Sequence, residues 1–204
     1  MNIGKTFKNA VLLTVVLMLV CGLAYPLLVT GIGQVLFPSQ ANGSLVEVNG
    51  KAVGSRLVGQ DFKDDRFMKC RPSAVNYNTY TQEQKADGSY SGVGSGSNNY
   101  APSNKALANR VEQDISTFLK RNPDVKQEDI PTDLLTASGS GLDPHISPAS
   151  AKVQIPALSK ATGLTEAELT EIVDAHTNEK LLGVFGEETV NVLLVNLEIF
   201  ERIG

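Results

Sequence analysis

Between Lys8 and Glu47 the chain carries no charged side chain, and residues 10–37 within that gap read AVLLTVVLMLVCGLAYPLLVTGIGQVLF. A bilayer-spanning helix needs about 20 predominantly apolar residues at roughly 1.5 Å rise each, and this run supplies more, with room for tilt. A cleaved signal peptide has an apolar region of only about 7–15 residues ending at a small-x-small site. Gly22-Leu23-Ala24 imitates such a site, but apolar sequence continues beyond it to Phe37. A lipid-anchored cysteine at Cys21 would follow the bulky Val20. The run is therefore read as a retained transmembrane helix. Pro26 lies inside it and should kink the helix, because it lacks an N–H and its ring crowds the preceding turn. Gly22, Gly31 and Gly33 are small enough to let a partner helix approach closely, or are simply tolerated facing lipid.

The flanking charges set an expected orientation. Lys5 and Lys8 precede the span, whereas Glu47 comes before the first following cation, Lys51. The positive-inside tendency places residues 1–9 in the cytoplasm and residues 38–204 outside it, as a single-pass membrane protein. Two of the 18 cationic residues lie before the span, so residues 38–204 carry 16 against all 22 acidic ones, a net of −6. With a net charge of −4 overall, nucleic acid is an unsuitable partner, because it binds clustered Lys and Arg.

Residues 38–204 are enough for one compact domain. Residues 38–43 read as an exit linker. Leu45 to Val48, Asn49-Gly50 and Ala52-Val53 have the pattern of a hairpin. Residues 71–104 form a long polar loop region holding Tyr77, Tyr80, Tyr90 and Tyr100. Such a loop either binds something or is pinned down by its tyrosines. From Ser103 to Arg121, the residues Leu107, Val111, Ile115, Phe118 and Leu119 share a helical face, and Pro123 closes the helix. Ser147-Pro148 opens another helix, disturbed by Pro156 and stopped by Gly163. Thr165 with Glu168 forms a capping box ahead of Leu169, Ile172 and Val173. Residues 189–200 are rich in β-branched side chains and read as a buried strand, with a shorter strand at 181–185. The expected fold is a single transmembrane helix followed by an α+β extracytoplasmic domain.

Most candidate chemistry fails on inspection. Gly4-Lys5-Thr6 copies the end of a phosphate-binding loop but precedes a membrane helix instead of following a strand. Gly92-Val93-Gly94-Ser95-Gly96 could cradle an anion with its N–H groups, yet reads better as a flexible loop. His145 and His176 have no cysteine companion at zinc-ligand spacing, so no metal is expected. Ser138 or Ser140 with Asp143 and His145 supplies the side chains of a hydrolase, but not the strand–elbow–helix frame that activates a serine. The small residues there equally suit a tight turn, with Asp143 bonding backbone and Ser147 capping a helix. Glu187-Glu188 and Asp64-Asp65 read as solvated turns.

Several blocks together are more specific. They are Gly59-Gln60-x-Phe62, Arg71-Pro-Ser-Ala-x-x-Tyr77, Asn99-Tyr-Ala-Pro-Ser-Asn104, the run from Pro131 to Ser147, Gln154-Ile-Pro156 and Val190-Asn-Val-Leu-x-x-Asn196. In this order, behind one N-terminal span, they resemble the C subunit (KdpC) family of the bacterial high-affinity potassium-transporting ATPase. The resemblance implies a non-catalytic accessory subunit whose partners are a channel-like potassium-binding subunit and a P-type ATPase subunit that hydrolyses ATP. It further implies a catalytic chaperone that raises the ATP affinity of the ATPase subunit in a ternary complex. No cofactor is then held tightly. The implied nucleotide contact falls at Ser95, Gly96 and Ser97, where the family reads Ser-Gly-Gly-Ser-Asn and this chain reads Ser95-Gly-Ser-Asn-Asn99. The family also usually carries arginines where this chain has Ala157 and Thr162. If the domain lies outside the cell, cytoplasmic ATP is beyond its reach. The expected role is then assembly and stability, with the domain capping the potassium entrance and its net −6 gathering cations within a screening length of about 8 Å. The other readings are an anchored hydrolase and an anchored solute-binding module.

Overall fold

In the computed structural model, which describes residues 3–90 and 92–204, the apolar run is helical as far as Leu36. Helix α1 (Ile3–Leu19) passes through a wide turn at Val20–Ala24 into α2 (Tyr25–Leu36). In the wide turn the Tyr25 N–H bonds the Val20 carbonyl, five residues back. Pro26 follows at once, and since it has no N–H to donate, the chain absorbs the mismatch as a π turn with helical dihedrals on both sides. The disturbance expected at Pro26 thus falls in the turn before it. The continuous segment of 34 residues has none of its apolar window buried within the chain. At 1.5 Å per residue it is about 51 Å long, against roughly 30 Å of hydrocarbon, so it is long enough to cross a bilayer. The helix starts well before Ala10, because backbone hydrogen bonding does not stop where the apolar sequence does. Thr14, a polar side chain in the run, donates its hydroxyl to the Ala10 carbonyl at 2.9 Å.

The stretch expected to be an exit linker holds a helical turn, α3 (Pro38–Ala41). The Asn42 and Gln34 amides pair with each other at 3.1 and 3.3 Å, tying the turn to the end of α2. The hairpin forms as expected from β1 (Leu45–Val48) and β2 (Lys51–Ser55), with Asn49 and Gly50 at φ 50° and 72°. Residues up to Val53 make one compact unit and residues 54–204 another.

The second unit mixes helices with a small sheet. After an irregular stretch holding α4 (Gln82–Ala86) comes α5 (Lys105–Arg121). Its cap is Asn104, whose side chain accepts the Ala106 N–H at 2.8 Å. Strand β3 (His145–Ile146) leads to α6 (Pro148–Lys152) and α7 (Ile155–Thr162), which split at Val153–Gln154 because Pro156 suits a first turn and not a helix interior. Gly163 ends α7 at φ 80°, and the Thr165–Glu168 capping box opens α8 (Glu166–Ala175). Strands β4 (Thr177–Asn178) and β5 (Thr189–Asn191) follow, then α9 (Val192–Ile203). The sheet order is β3-β5-β4, antiparallel, with His145 opposite Asn191 and Thr177 opposite Val190.

The buried strand expected over residues 189–200 is mostly helix. Asn191 takes the N-cap, accepting the Leu194 N–H at 3.2 Å, and Val192, Val195, Asn196 and Ile199 are buried on one helical face. Tertiary burial of that face outweighs the β preference of its valines and isoleucine. The strand expected at 181–185 is a tight, solvent-exposed turn closed by a bridge between Leu181 and Phe185. The core gathers Ile146, Ala151, Ile155 and Leu158 with Leu169, Ile172 and Val173 of α8, Val190 of β5, α9 and Met68.

Candidate functional site

The residues that carry chemistry collect where four loop segments of the second unit meet: 59–60, 71–78, 94–99 and 136–145. Gly141 is the hinge of this junction. It sits at φ +67°, and a Cβ there would lie 2.8 Å from both the Gly96 carbonyl and a Val75 methyl. Gly59 is equally confined, since a Cβ would meet the Tyr77 ring at 2.5 Å and the Asp143 carbonyl at 2.6 Å. Its own N–H donates to the Leu142 carbonyl at 2.8 Å.

Side chains close the junction. The Ser73 hydroxyl donates to the Gly141 carbonyl (2.6 Å) and accepts the Tyr77 N–H (2.9 Å), while the Tyr77 hydroxyl donates to the Arg71 carbonyl (2.8 Å). Arg71 Nη1 reaches Asp143 Oδ2 at 3.1 Å, and Asp143 Oδ1 accepts the His145 N–H at 3.0 Å. The His145 side chain, its backbone N–H and the Arg71 guanidinium outweigh burial and hold the Asp143 carboxyl below the usual carboxylate range. Burial pushes the Tyr77 phenol above its ordinary value and the neighbouring Cys70 thiol up to about 12, so neither ionises near neutral pH.

The serine–histidine grouping is a turn and not a nucleophilic site. The Ser138 hydroxyl accepts the Gly141 N–H at 2.9 Å and the Ser140 hydroxyl accepts the Leu142 N–H at 3.1 Å. The His145 ring instead lies against Asp143 (3.6 Å) and the Asn191 amide (3.4 Å). Asp133 anchors the end of the same block. Burial opposes its charge, but bonds from the Ser147 N–H (2.8 Å) and the Ser150 hydroxyl (2.6 Å) prevail and lower its pKa. Ser147 caps α6, as the sequence indicated. Among the described residues no cluster of His, Cys, Asp and Glu could hold a metal ion.

The three residues of the implied nucleotide contact lie at the rim. The Gly96 N–H and the Ser95 hydroxyl both donate to the Ser140 carbonyl, at 2.8 and 3.2 Å, and the Ser97 hydroxyl donates to Asn99 at 2.8 Å. The Asn78 amide brackets Gly94 with two bonds of 2.9 and 3.0 Å. Beside them a cavity of about 370 Å³ runs between Ser73, Ser97–Tyr100, Thr136 and the α5 residues Leu107 and Arg110. The Arg110 guanidinium on its wall is held by Asp114 and the Leu135 carbonyl. Tyr80 stacks on Tyr90 at 4.2 Å, so the tyrosine-rich loop is largely pinned onto itself. A second cavity, also about 370 Å³, is bordered by Lys120, Arg121, Lys160 and Ala157. Arg121 contacts Asp65 there and Lys160 contacts Asp124. Asp64, the neighbour of Asp65, pairs with exposed Arg66 in a surface turn, as the sequence suggested.

Two motif residues have a role that local sequence reading missed. Buried Asn196 accepts the Met68 N–H (2.7 Å) and donates to the Met68 carbonyl (2.9 Å). Buried Gln154 accepts the Lys69 N–H (2.8 Å) and donates to the Lys69 carbonyl (3.2 Å). Each amide stands in for a neighbouring strand, so the irregular segment leading to Arg71 is clamped by α9 and by the α6–α7 junction. In the first unit, a Cβ on Gly22 or Gly31 would meet nothing within 4 Å, and on Gly33 only Ala41 at 4.0 Å. A shallow apolar groove runs along α2 past Leu28, Gly31, Ile32 and Val35.

Comparison with known proteins agrees with these motifs. A family model described as "K+-transporting ATPase, c chain" matches residues 7–201. The chain is similar to the potassium-transporting ATPase KdpC subunit of Clostridium kluyveri, 67% identical over 200 residues that cover 98% of this chain and 95% of that one. The KdpC subunit of Clostridioides difficile is 60% identical, with 98% and 99% covered. That of Caldanaerobacter subterraneus is 44% identical, with 98% and 97% covered.

Proposed function

The chain belongs to the KdpC family of potassium-transporting ATPase subunits, and on that premise we propose that it is a non-catalytic assembly subunit anchored by one N-terminal span. Its N-terminus is cytoplasmic and its globular domain extracytoplasmic, following the placement of Lys5 and Lys8 before the span. The α2 groove around Gly31, with Gly22, Gly33 and Pro26, packs against helices of a channel-like potassium-binding subunit and a P-type ATPase subunit. Hydrolysis belongs to the ATPase subunit. The effect of this chain on ATP affinity is exerted through that partner's conformation, and Ser95, Gly96 and Ser97 meet nucleotide only if a ternary complex forms.

The observation that carries this reading is that the motif side chains are spent internally. Ser73, Ser138, Ser140, Asp143, Gln154 and Asn196 all hold backbone in place. A reactive site needs a nucleophile beside a free base, whereas a docking module needs a fixed surface. The test is to express the remaining subunits with and without this chain and to photolabel the purified complex with azido-ATP. Loss of co-purification and of potassium-stimulated hydrolysis without the chain is expected, with label on the ATPase subunit alone. An intact, active complex without it, or label within residues 95–97, would overturn the proposal.

A further inference from the structure

The turn between β4 and β5 presents four large apolar side chains to solvent: Leu181, Leu182, Val184 and Phe185 are 69, 83, 74 and 64% exposed. This is no loose tip. The Leu181 N–H donates to the Phe185 carbonyl at 2.8 Å, the Phe185 N–H returns to the Leu181 carbonyl at 3.0 Å, and the Gly183 N–H donates to Lys180 at 2.9 Å. Leu182 sits at φ +56°, a left-handed conformation in which a bulky L-residue is an outlier. Strain of that kind is ordinarily compensated by burial, but here the strained leucine points into water. Clustered exposed apolar side chains rimmed by polar residues mark binding surfaces on folded domains.

We propose that residues 181–185 are a docking tip that inserts into an apolar pocket, edged by basic side chains, on another subunit of the same complex. The charges around the tip select that occupant. Glu179, Glu187 and Glu188 flank it against one cation, Lys180, which already lies 3.4 Å from Glu187. Segments that bind bilayer surfaces carry Lys and Arg beside their apolar residues, and this tip has the opposite charge. A second copy of the chain would bring two acidic rims together. A basic-rimmed pocket on a different subunit satisfies both the apolar tip and its acidic border. The inference rests on the assembly role proposed above and specifies one of its contacts.

The test uses the whole complex in cell membranes. A photoreactive benzoylphenylalanine replaces Leu182, the membranes are irradiated, and the adducts are identified by mass spectrometry. An adduct joining this chain to another subunit of the complex is expected. Adducts only with lipid, only with a second copy, or with no protein at all would overturn the proposal. In parallel, Leu182→Asn with Phe185→Gln removes the apolar tip while easing the backbone, because asparagine tolerates the left-handed region. Recovery of the complex on a tagged chain should fall about tenfold, equivalent to 1.4 kcal/mol of association energy, with Cys70 still protected from thiol reagents as a sign of native folding. A fall of less than threefold overturns the proposal. If the unaltered chain fails to co-purify with other subunits, the assembly reading itself falls; if it co-purifies and the variant does equally well, only the tip does.

Discussion

Replacing Asn196 by alanine should open the domain locally before it unfolds it globally. The Asn196 residue is 2% exposed, and its amide is engaged by both backbone groups of fully buried Met68. Alanine would leave a buried N–H and a buried C=O without partners, at about 1–3 kcal/mol each, and would add a small cavity. Partial relaxation and water entry will recover some of this, so a net cost of about 3 kcal/mol is expected. Cys70 lies two residues along the clamped segment, with its thiol held near a pKa of about 12 by burial, and so reports opening directly. With Cys21 replaced by serine, the labelling rate of Cys70 under native conditions tracks the open population. About 3 kcal/mol corresponds to an acceleration on the order of 100-fold. Asn196→Leu should accelerate labelling nearly as much, since it fills space but satisfies neither backbone group. A change below threefold in Asn196→Ala would refute the argument that this amide holds the segment.

Gly141→Ala should cost about 2–3 kcal/mol and loosen residues 95–97 first, since its Cβ collides with the Gly96 carbonyl and Val75; hydrogen exchange at the Gly96 amide checks this. Asp133 and Asp143 have lowered folded-state pKa values. Their stabilisation is therefore complete above the unfolded value of about 3.9 and is lost as pH falls through the lower folded values. Asp133→Asn should flatten the acid limb of the stability curve below about pH 4, measured by near-ultraviolet dichroism of the tyrosines, since the chain has no tryptophan. Ser140→Ala should leave potassium-stimulated ATP hydrolysis of the complex within about twofold and destabilise the domain by about 1 kcal/mol, because its hydroxyl accepts the Leu142 N–H and otherwise makes only a long 3.5 Å contact with the Ser138 hydroxyl. A complete loss of hydrolysis in an assembled complex would revive the hydrolytic reading.

Much of the chain was legible locally. The Asn49-Gly50 hairpin and the caps at Ser147, Thr165 and Gly163 are written in adjacent residues and form where expected, and the apolar run is part of one long helix, Ile3–Leu36. The helix α9 was misread because valine, leucine and isoleucine dominate it, although its buried set of 192, 193, 195, 196 and 199 has helical spacing. The turn at 181–185 was misread for the same reason: an apolar run of that length suits a strand, and only Gly183 and Gly186 hint at a turn. The amide clamps were invisible for a different reason. Asn196 and Met68 are 128 positions apart, so no local period links them. The loop junction lay between these extremes, since its glycines and serines suggested a tight turn but not that Gly96 and Gly59 would pack against it.

The proposed extracytoplasmic placement of the globular domain is tested most directly by cysteine labelling. Val93 is 84% exposed in the glycine-rich segment, which makes Val93→Cys a clean reporter. With both native cysteines, Cys21 and Cys70, replaced by serine, intact cells are treated with a membrane-impermeant maleimide. Labelling at position 93 before permeabilisation is predicted, with the chain lacking the new cysteine unlabelled. Labelling only after permeabilisation would place the domain in the cytoplasm, contradict the account, and bring residues 95–97 within reach of ATP.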